Sequence, residues 1–283
     1  MLLYLVRHGQ TALNEAGKVQ GLIDEPLSPQ GQDQARKLAQ HLKLIPFTEA
    51  WSSPTKRAQE TAEVILSAQP RAKAKLYIDG RLRSRAFGTA EGKLWDEVCC
   101  RLSECGIEPE EQLLSRLHDW LSVLVRMHTP TSSTATSPTS PLSPVSPLPT
   151  DPFDTPSIVR SLPRPGIART PSASASSGLA GKNGIVLVVT HQACLKGFLR
   201  ILTRDEPKSP IDLHVPDSLT INTDTDKEEK MEMVVGNASV AIVRVWWEDG
   251  EARGRLEAWG DEDHLLNTDG DEEDVWAEDA SGK

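Results

Sequence analysis

The sequence predicts an α/β fold, a three-layer α/β/α sandwich with a mostly parallel sheet. Two short, continuous apolar runs, at residues 2–6 and 185–190, are typical of strands that are covered on both faces. Segments with apolar residues at helical spacing lie between and after these runs. Strands that alternate with helices predict a parallel sheet with helices on its faces, and a pair of late strands predicts an antiparallel edge.

Three helices are predicted between the two apolar runs. The first begins at Ser28-Pro29, where serine is a suitable N-cap and proline fits the first turn, and the second begins likewise at Ser53-Pro54. The third is predicted at about residues 109–126. Each helix carries one apolar stripe of the kind that packs on a sheet.

A change of composition interrupts the fold after the third helix. Residues 129–184 are rich in Ser, Thr, Pro and Ala, and such a segment buries too little apolar surface to offset its ordering entropy. We therefore predict a disordered insertion within a single domain that comprises residues 1–128 and 185–260. The insertion is also a candidate substrate of a proline-directed kinase. Four of its serines precede proline: Ser137, Ser140, Ser143 and Ser146.

The last part of the chain is predicted to contain a helix, two strands and a tail. The helix follows the run at 185–190, and the strands lie at about 233–247 and 253–259, joined by a turn at Asp249-Gly250. Residues 261–283 form a predicted acidic tail. The net charge is −10, and residues 251–283 contain 12 acidic and 3 basic residues, so the rest of the chain is close to neutral. A nearly neutral body predicts neither nucleic-acid nor membrane binding.

Cysteine usage and targeting signals predict a cytoplasmic protein, with the nucleus as the alternative. The four cysteines form no CxxC pair and do not combine with histidines at zinc spacing, which predicts reduced thiols and no metal site. The N-terminus lacks the layout of a signal peptide, and the apolar runs are too short to cross a bilayer.

Two predicted strands each deliver a histidine at the carboxyl end, His8 and His191. Because ligands bind at this edge of an open α/β sheet, the two histidines are expected to converge there. Arg7 precedes the first, and Arg57 lies in the first turns of a helix, where a guanidinium and the helix N-terminus both favour an anion.

Neutral donors follow the first strand and complete the predicted site. Thr11, Asn14 and the pair Gln20-Gly21 lie in the loop after it, with few carboxylates nearby in sequence. Two arginines, two histidines and neutral donors suit a phosphoryl group.

Five motifs in order resemble those of the histidine phosphatase superfamily, also called phosphoglycerate mutase-like. The motifs read LVRHGQTALN, QGLIDEPLSPQGQDQA, WSSPTKRAQETA, FGTAEGK and VLVVTHQA. They span nearly all of the chain outside the insertion and the tail. Three shorter pieces look most like the TIGAR-type fructose-2,6-bisphosphatases of this superfamily: IDEPLS, RLRSRAFGTAEGK and DEDHL.

The resemblance implies a role for each matched residue. The histidine of the RHG motif becomes a phosphohistidine in the family, which places the nucleophile on His8. Arg7, Arg57 and His191 match the residues that clamp the phosphoryl oxygens. The family's substrate contacts in the loop fall on Thr11, Asn14, Gln20 and Gly21. No cofactor and no metal are implied.

One departure from the family pattern affects the chemistry itself. The family has a glutamate acid two residues after the leucine that corresponds to Leu82, and this chain has Ser84 there. A serine hydroxyl is too weak an acid to protonate a leaving oxygen, a contribution of about 10² to 10⁴ in rate. A milder departure is Gln192, where many members have glycine.

Three interpretations of Ser84 stay open at this point. The protein is a weak or leaving-group-selective phosphatase, or Glu91 replaces the missing acid, or the protein binds phosphorylated ligands without turning them over. We expect a phosphomonoesterase that acts on a small phosphorylated metabolite, with sugar bisphosphates as first candidates. The alternative is a catalytically poor, phosphate-binding regulatory protein.

Overall fold

The computed structural model describes residues 1–70, 74–130, 184–204, 208–216 and 235–266. In these residues seven strands form one sheet. They are β1 Leu2–Arg7, β2 Glu49–Ser52, β3 Lys75–Ile78, β4 Ile185–Thr190, β5 Asp212–His214, β6 Val240–Glu248 and β7 Glu251–Asp261. The helices are α1 Ala12–Glu15, α2 Pro29–His41, α3 Lys56–Ser67, α4 Trp95–Val98, α5 Glu110–His128 and α6 Gln192–Thr203.

The sheet combines a parallel half with an antiparallel edge, as predicted. Its order is β3-β2-β4-β1-β6-β7-β5. The first four strands in this order are mutually parallel, β6 runs antiparallel to β1, and β7 runs antiparallel to β6. The α/β prediction is therefore confirmed.

Helices cover both faces of the central strands. Leu3 and Leu5 of β1 belong to a buried cluster that includes residues of α5 and α6. Tyr4 and Val6 point the other way, into a cluster with residues of α2 and α3. This alternation follows from the two-residue period of a strand, and it gives the three layers that the continuous apolar runs predict.

Helix starts agree with the sequence at one of two positions. At α2 the Ser28 hydroxyl accepts a hydrogen bond from the Gly31 amide (3.1 Å), as expected of an N-cap. Helix α3 has Thr55 as its N-cap, so the prediction of a start at Ser53 was wrong by two residues. The Ser53 amide instead donates to the Val189 carbonyl (3.0 Å) and extends the hydrogen-bonded pairing of β2 with β4 by one residue.

The late strands also differ at their ends from the prediction. β6 begins at Val240 rather than near 233, because a turn with Ala238 at φ 62° precedes it. β7 continues to Asp261, one residue into the predicted tail. Most of the predicted insertion and tail, residues 131–183 and 267–283, lie outside the described residues, so the domain boundaries and the kinase sites stay predictions.

Candidate active site

The candidate site lies at the carboxyl ends of β1 and β4. Arg7 pairs with Thr190 in the parallel register, so His8 and His191 directly follow neighbouring strands. Their ring centroids are 5.1 Å apart, and both side chains are buried. The two histidines therefore converge, although 182 residues separate them in sequence. His191 is also the N-cap of α6, and Arg57 lies in the first turn of α3, so two helix N-termini face the site.

The backbone fixes which nitrogen of His8 is free. Nδ1 lies 2.7 Å from the Gly9 carbonyl oxygen, which only accepts, so Nδ1 carries the proton. Nε2 is then the unprotonated nitrogen. Burial lowers the pKa of His8 well below 6.5, and the charges of Arg57 and Arg7 lower it further. His8 is a neutral imidazole with a lone pair on Nε2, which is what a nucleophile requires.

The tautomer of His191 is fixed in the opposite way. Arg57 Nη2 lies 3.4 Å from His191 Nδ1, and because a guanidinium only donates, this nitrogen accepts. Nε2 carries the proton and donates to the Ser53 hydroxyl at 2.8 Å. Burial lowers the pKa of His191 well below 6.5, followed by the effects of His8 and of the two arginines.

Each arginine is held by backbone carbonyls and keeps more than one N–H donor free. Arg57 donates to the carbonyls of Ile23 (2.7 Å) and Gly21 (2.9 Å), and Arg7 donates to that of Val235 (2.5 Å). The Nε atoms of both arginines are buried and have no hydrogen-bond partner among the described residues. Burial lowers the pKa of each to about 10, so both stay charged at neutral pH. Buried, unpartnered guanidinium donors suit an anion such as a phosphoryl group.

These side chains line an open cavity of about 230 Å³. Most of the residues expected from the sequence line it: Arg7, His8, Asn14, Gln20, Gly21, Arg57, Ser84, His191 and Gln192. Three further side chains that line the cavity, Lys18, Phe87 and Trp95, were not predicted from the sequence. Lys18 and Phe87 lie in loops, and Trp95 is the first residue of α4. In the described part of the chain no Asp or Glu lines the cavity.

Thr11 is the one expected contact that does not line the cavity. Its side-chain oxygen accepts hydrogen bonds from Gln20 Nε2 (2.7 Å) and from the Asn14 amide (3.3 Å), which makes it the N-cap of α1. The structure therefore places Thr11 behind Gln20, where it orients a lining residue.

The carboxylate of Glu91, the candidate substitute acid, accepts hydrogen bonds from two backbone amides. Its Oε1 accepts from the amides of Leu22 (3.0 Å) and Phe87 (2.9 Å), and the residue does not line the cavity. This geometry supports a structural role, in which Glu91 ties two loops together.

Ser84 is buried in the cavity wall, and its backbone is held by Arg116, which pairs with the buried carboxylate of Glu108. Arg116 donates to the carbonyls of Arg83 (2.8 Å) and Ser84 (3.1 Å) and forms two hydrogen bonds with the buried Glu108 carboxylate (2.8 and 3.0 Å). Burial raises the pKa of Glu108, but the hydrogen bonds and charge of Arg116 outweigh it and leave the pKa below 4.5. Glu108 is thus an ionised partner of Arg116, and it does not line the cavity.

The remaining predicted features concern metal, thiols and the membrane. All four cysteines are free, with Cys99 and Cys100 exposed and Cys105 and Cys194 buried. Across the described ranges no group of three or more His, Cys, Asp or Glu side chains is arranged to hold a metal ion. Among the described helices, none has the length and apolar character needed to cross a bilayer.

Comparisons with known proteins find one matching family model and several relatives. A model described as the histidine phosphatase superfamily (branch 1) matches residues 3–130. The chain is 31% identical over 215 residues to fructose-2,6-bisphosphatase TIGAR of Bos taurus, which covers 72% of this chain and 77% of the relative.

Two other relatives match over shorter stretches. The TIGAR protein of Xenopus tropicalis is 35% identical over 143 residues, 46% of this chain and 52% of the relative. TIGAR B of Danio rerio is 42% identical over 93 residues, 32% of this chain and 36% of the relative. The matched segments thus span about half of the length of the first relative and about a third of the second.

Solved structures share the fold at low identity. A phosphoglycerate mutase from Bacillus anthracis str. Sterne has a TM-score of 0.55 and 22% identity, and covers 94% of this chain and 95% of its own. A mycobacterial glucosyl-3-phosphoglycerate phosphatase has a TM-score of 0.57 and 19% identity, and covers 91% of this chain and 98% of its own.

Proposed function

Because this chain belongs to the histidine phosphatase superfamily, we propose that it is a phosphomonoesterase that forms a phosphohistidine on His8. The observation that carries the proposal is the neutral, oriented imidazole of His8, which lines a cavity together with Arg7 and Arg57. A neutral histidine can attack phosphorus without first losing a proton.

The reaction proceeds in two displacements. In the first, His8 Nε2 forms a bond to phosphorus while the bond to the leaving oxygen breaks. In the second, water attacks phosphorus, the P–N bond breaks and inorganic phosphate leaves. Arg7 and Arg57 hold the phosphoryl oxygens in both steps, and their positive charges stabilise the charge that spreads over these oxygens. His191 is neutral and its single N–H donates to Ser53, so it joins the arginines only by exchanging that bond for one to a phosphoryl oxygen.

The substrate is proposed to be a small phosphorylated metabolite. The names of the relatives make fructose-2,6-bisphosphate or a related sugar bisphosphate the first compound to test. Ser84 at the family's acid position is expected to slow the turnover of such esters, since the serine cannot protonate a sugar oxygen as it leaves.

A second function is a phosphate-binding regulatory protein with little catalysis. The absence of Asp and Glu from the described lining of the cavity favours it, because the anion site is complete while the acid is missing. In that case phosphorylated ligands would bind to Arg7 and Arg57 without turnover.

One experiment separates the two functions. The protein is mixed with phenyl phosphate or fructose-2,6-bisphosphate, quenched in alkali, and analysed by intact mass for an added phosphoryl group that is lost in acid. We expect this adduct in the parent protein and in the control His118→Ala, whose histidine lies outside the cavity, but not in His8→Ala. Turnover that survives in His8→Ala would refute the mechanism, and binding with neither adduct nor turnover would favour the regulatory function.

A further inference from the structure

The mouth of the cavity carries two aromatic side chains, Phe87 and Trp95, that the phosphoryl site does not use. Both line the cavity, and Trp95 is 47% exposed. A large exposed aromatic ring beside a binding cavity is typical of a ligand contact. These rings are therefore the candidates for contacting whatever the phosphoryl group is attached to.

The start of α4, at Trp95, is hydrogen-bonded to the loop that contains Gly17 and Val19. The Trp95 amide donates to the Gly17 carbonyl (3.1 Å), and the Val19 amide donates to the Lys93 carbonyl (2.9 Å). Lys18, between these contacts, also lines the cavity. One pair of hydrogen-bonded loops thus presents an aromatic ring and an ammonium group at the mouth.

Phe87 is anchored from behind. Its ring packs against a small buried cluster, and its amide donates to Glu91 Oε1 (2.9 Å). The cluster consists of Val19, Ala90, Val98 and Cys105. An aromatic ring that is already packed loses little conformational freedom when a ligand stacks on it, so the contact favours binding.

The missing acid near Ser84 restricts the choice of leaving group, independently of the two aromatic rings. Ser84 stands at the family's acid position, and no Asp or Glu lines the described cavity. Three carboxylates just outside it, Glu25, Glu91 and Glu108, accept hydrogen bonds from Gln20, the Phe87 amide and Arg116. Because the described lining holds no carboxyl acid, we expect the leaving oxygen to depart as an anion. A phenol has a pKa of about 10, several units below that of an ordinary alcohol, so an aryl oxide departs without help where an alkoxide does not.

We propose that the site selects aryl phosphate monoesters, with the phosphoryl group between Arg7 and Arg57 and the aryl ring against Phe87 and Trp95. This inference rests on the proposed function, keeps its phosphohistidine chemistry and replaces sugar bisphosphates with aryl esters as the preferred substrate class. His8 Nε2 bonds to phosphorus as the P–O bond to the aryl group breaks, and the electron pair stays on the aryl oxygen, which then takes a proton from water. Water next attacks phosphorus, the P–N bond electrons return to Nε2, and inorganic phosphate leaves.

A series of esters with different leaving groups tests whether the leaving oxygen departs without an acid. kcat/KM is measured for substituted phenyl phosphates of graded phenol pKa and for glycerol 2-phosphate. We expect kcat/KM to fall steeply as the leaving-group pKa rises, to be roughly 10² to 10⁴ lower for the alkyl ester, and to depend less on that pKa in Ser84→Glu. Equal or faster His8-dependent turnover of the alkyl ester would overturn the inference and leave the proposed function standing. Loss of all turnover and of the phosphohistidine would overturn both.

The binding of phosphonate inhibitors, which are not turned over, tests whether Phe87 and Trp95 contact the aryl ring. Phenylphosphonate and methylphosphonate share the anionic group but differ in the ring. We expect Trp95→Ala and Phe87→Ala to weaken phenylphosphonate binding roughly threefold to tenfold and to leave methylphosphonate binding unchanged. Trp246→Ala, a tryptophan of similar exposure (40%) that does not line the cavity, is the matched control. Equal effects of Trp95→Ala on both phosphonates, or no effect on either, would overturn the inference.

Discussion

Replacing Arg116 with methionine is expected to destabilise the protein and loosen the wall of the cavity. Arg116 makes five hydrogen bonds, to the carbonyls of Arg81, Arg83 and Ser84 and to both oxygens of Glu108. Methionine keeps much of the apolar stem and removes all five. The segment that contains Ser84 thereby loses its main support.

The magnitude follows from what the substitution leaves behind. The Arg116 and Glu108 side chains are 10% and 5% exposed, and removing one partner of a buried ion pair costs about 3–5 kcal/mol. Glu108 keeps hydrogen bonds from Arg83 (2.9 Å) and from the Ala86 amide (3.2 Å), so its carboxylate is not left alone. We therefore expect the lower end, about 3 kcal/mol, which is a large part of the stability of about 5–15 kcal/mol that is typical of a folded domain.

Urea denaturation followed by tryptophan fluorescence measures this loss. Arg126→Met is the matched control, because Arg126 lies on the same helix, α5, and is exposed. The double variant Glu108→Gln with Arg116→Met should lose less stability than the sum of the two single variants, since the buried charge is removed with its partner. If Arg116→Met costs no more than Arg126→Met, the Arg116–Glu108 pair does not support this segment and the reasoning is wrong.

Two further predictions concern the site's titration and its backbone packing. Burial keeps His8 and His191 neutral in the folded state, whereas in the unfolded chain both histidines take up protons near pH 6.5. The free energy of unfolding should therefore fall by roughly 1.4 kcal/mol per histidine for each pH unit below 6.5. Urea titrations in phosphate-free buffer at pH 7.5 and 5.5 check this, and His8→Asn should reduce the slope, so an unchanged slope would contradict it. Gly31→Ala should destabilise by more than about 2 kcal/mol, because a Cβ there would collide with the backbone of the loop after β1, whereas Gly80→Ala meets no atom within 4 Å and should be nearly neutral. Equal melting temperatures for the two glycine variants would refute that account.

Local sequence patterns predicted where His8, His191 and Arg57 lie in the fold. An apolar run that ends in a histidine predicts both a buried strand and the edge of the sheet where that histidine lies, and it does so for His8 and for His191. The placement of Arg57 in the first turn of a helix follows in the same way from the residues before it. These predictions succeed because each depends on the few residues around it and on one general rule about parallel sheets.

The short strands and the helix starts were less predictable. β2, β3 and β5 have four, four and three residues, too few to establish a period, and they form because neighbouring strands offer hydrogen bonds. The start of α3 depends on the Ser53 amide, which bonds across to β4 and so delays the helix. Such contacts between distant segments leave no local signal in the sequence.

The sequence by itself determined the α/β fold and the convergence of His8, His191 and Arg57 at one edge of the sheet, because each follows from residue type and local order. The roles of His8 as nucleophile and of Ser84 at the acid position are implied by the family resemblance and stay predictions. Only the tertiary structure decided that Glu91 ties two loops together, that Thr11 lies behind Gln20, and that Phe87 and Trp95 line the same cavity. Whether a carboxylate serves as an acid depends on the groups that already occupy its oxygens, and those groups come from segments far apart in the chain.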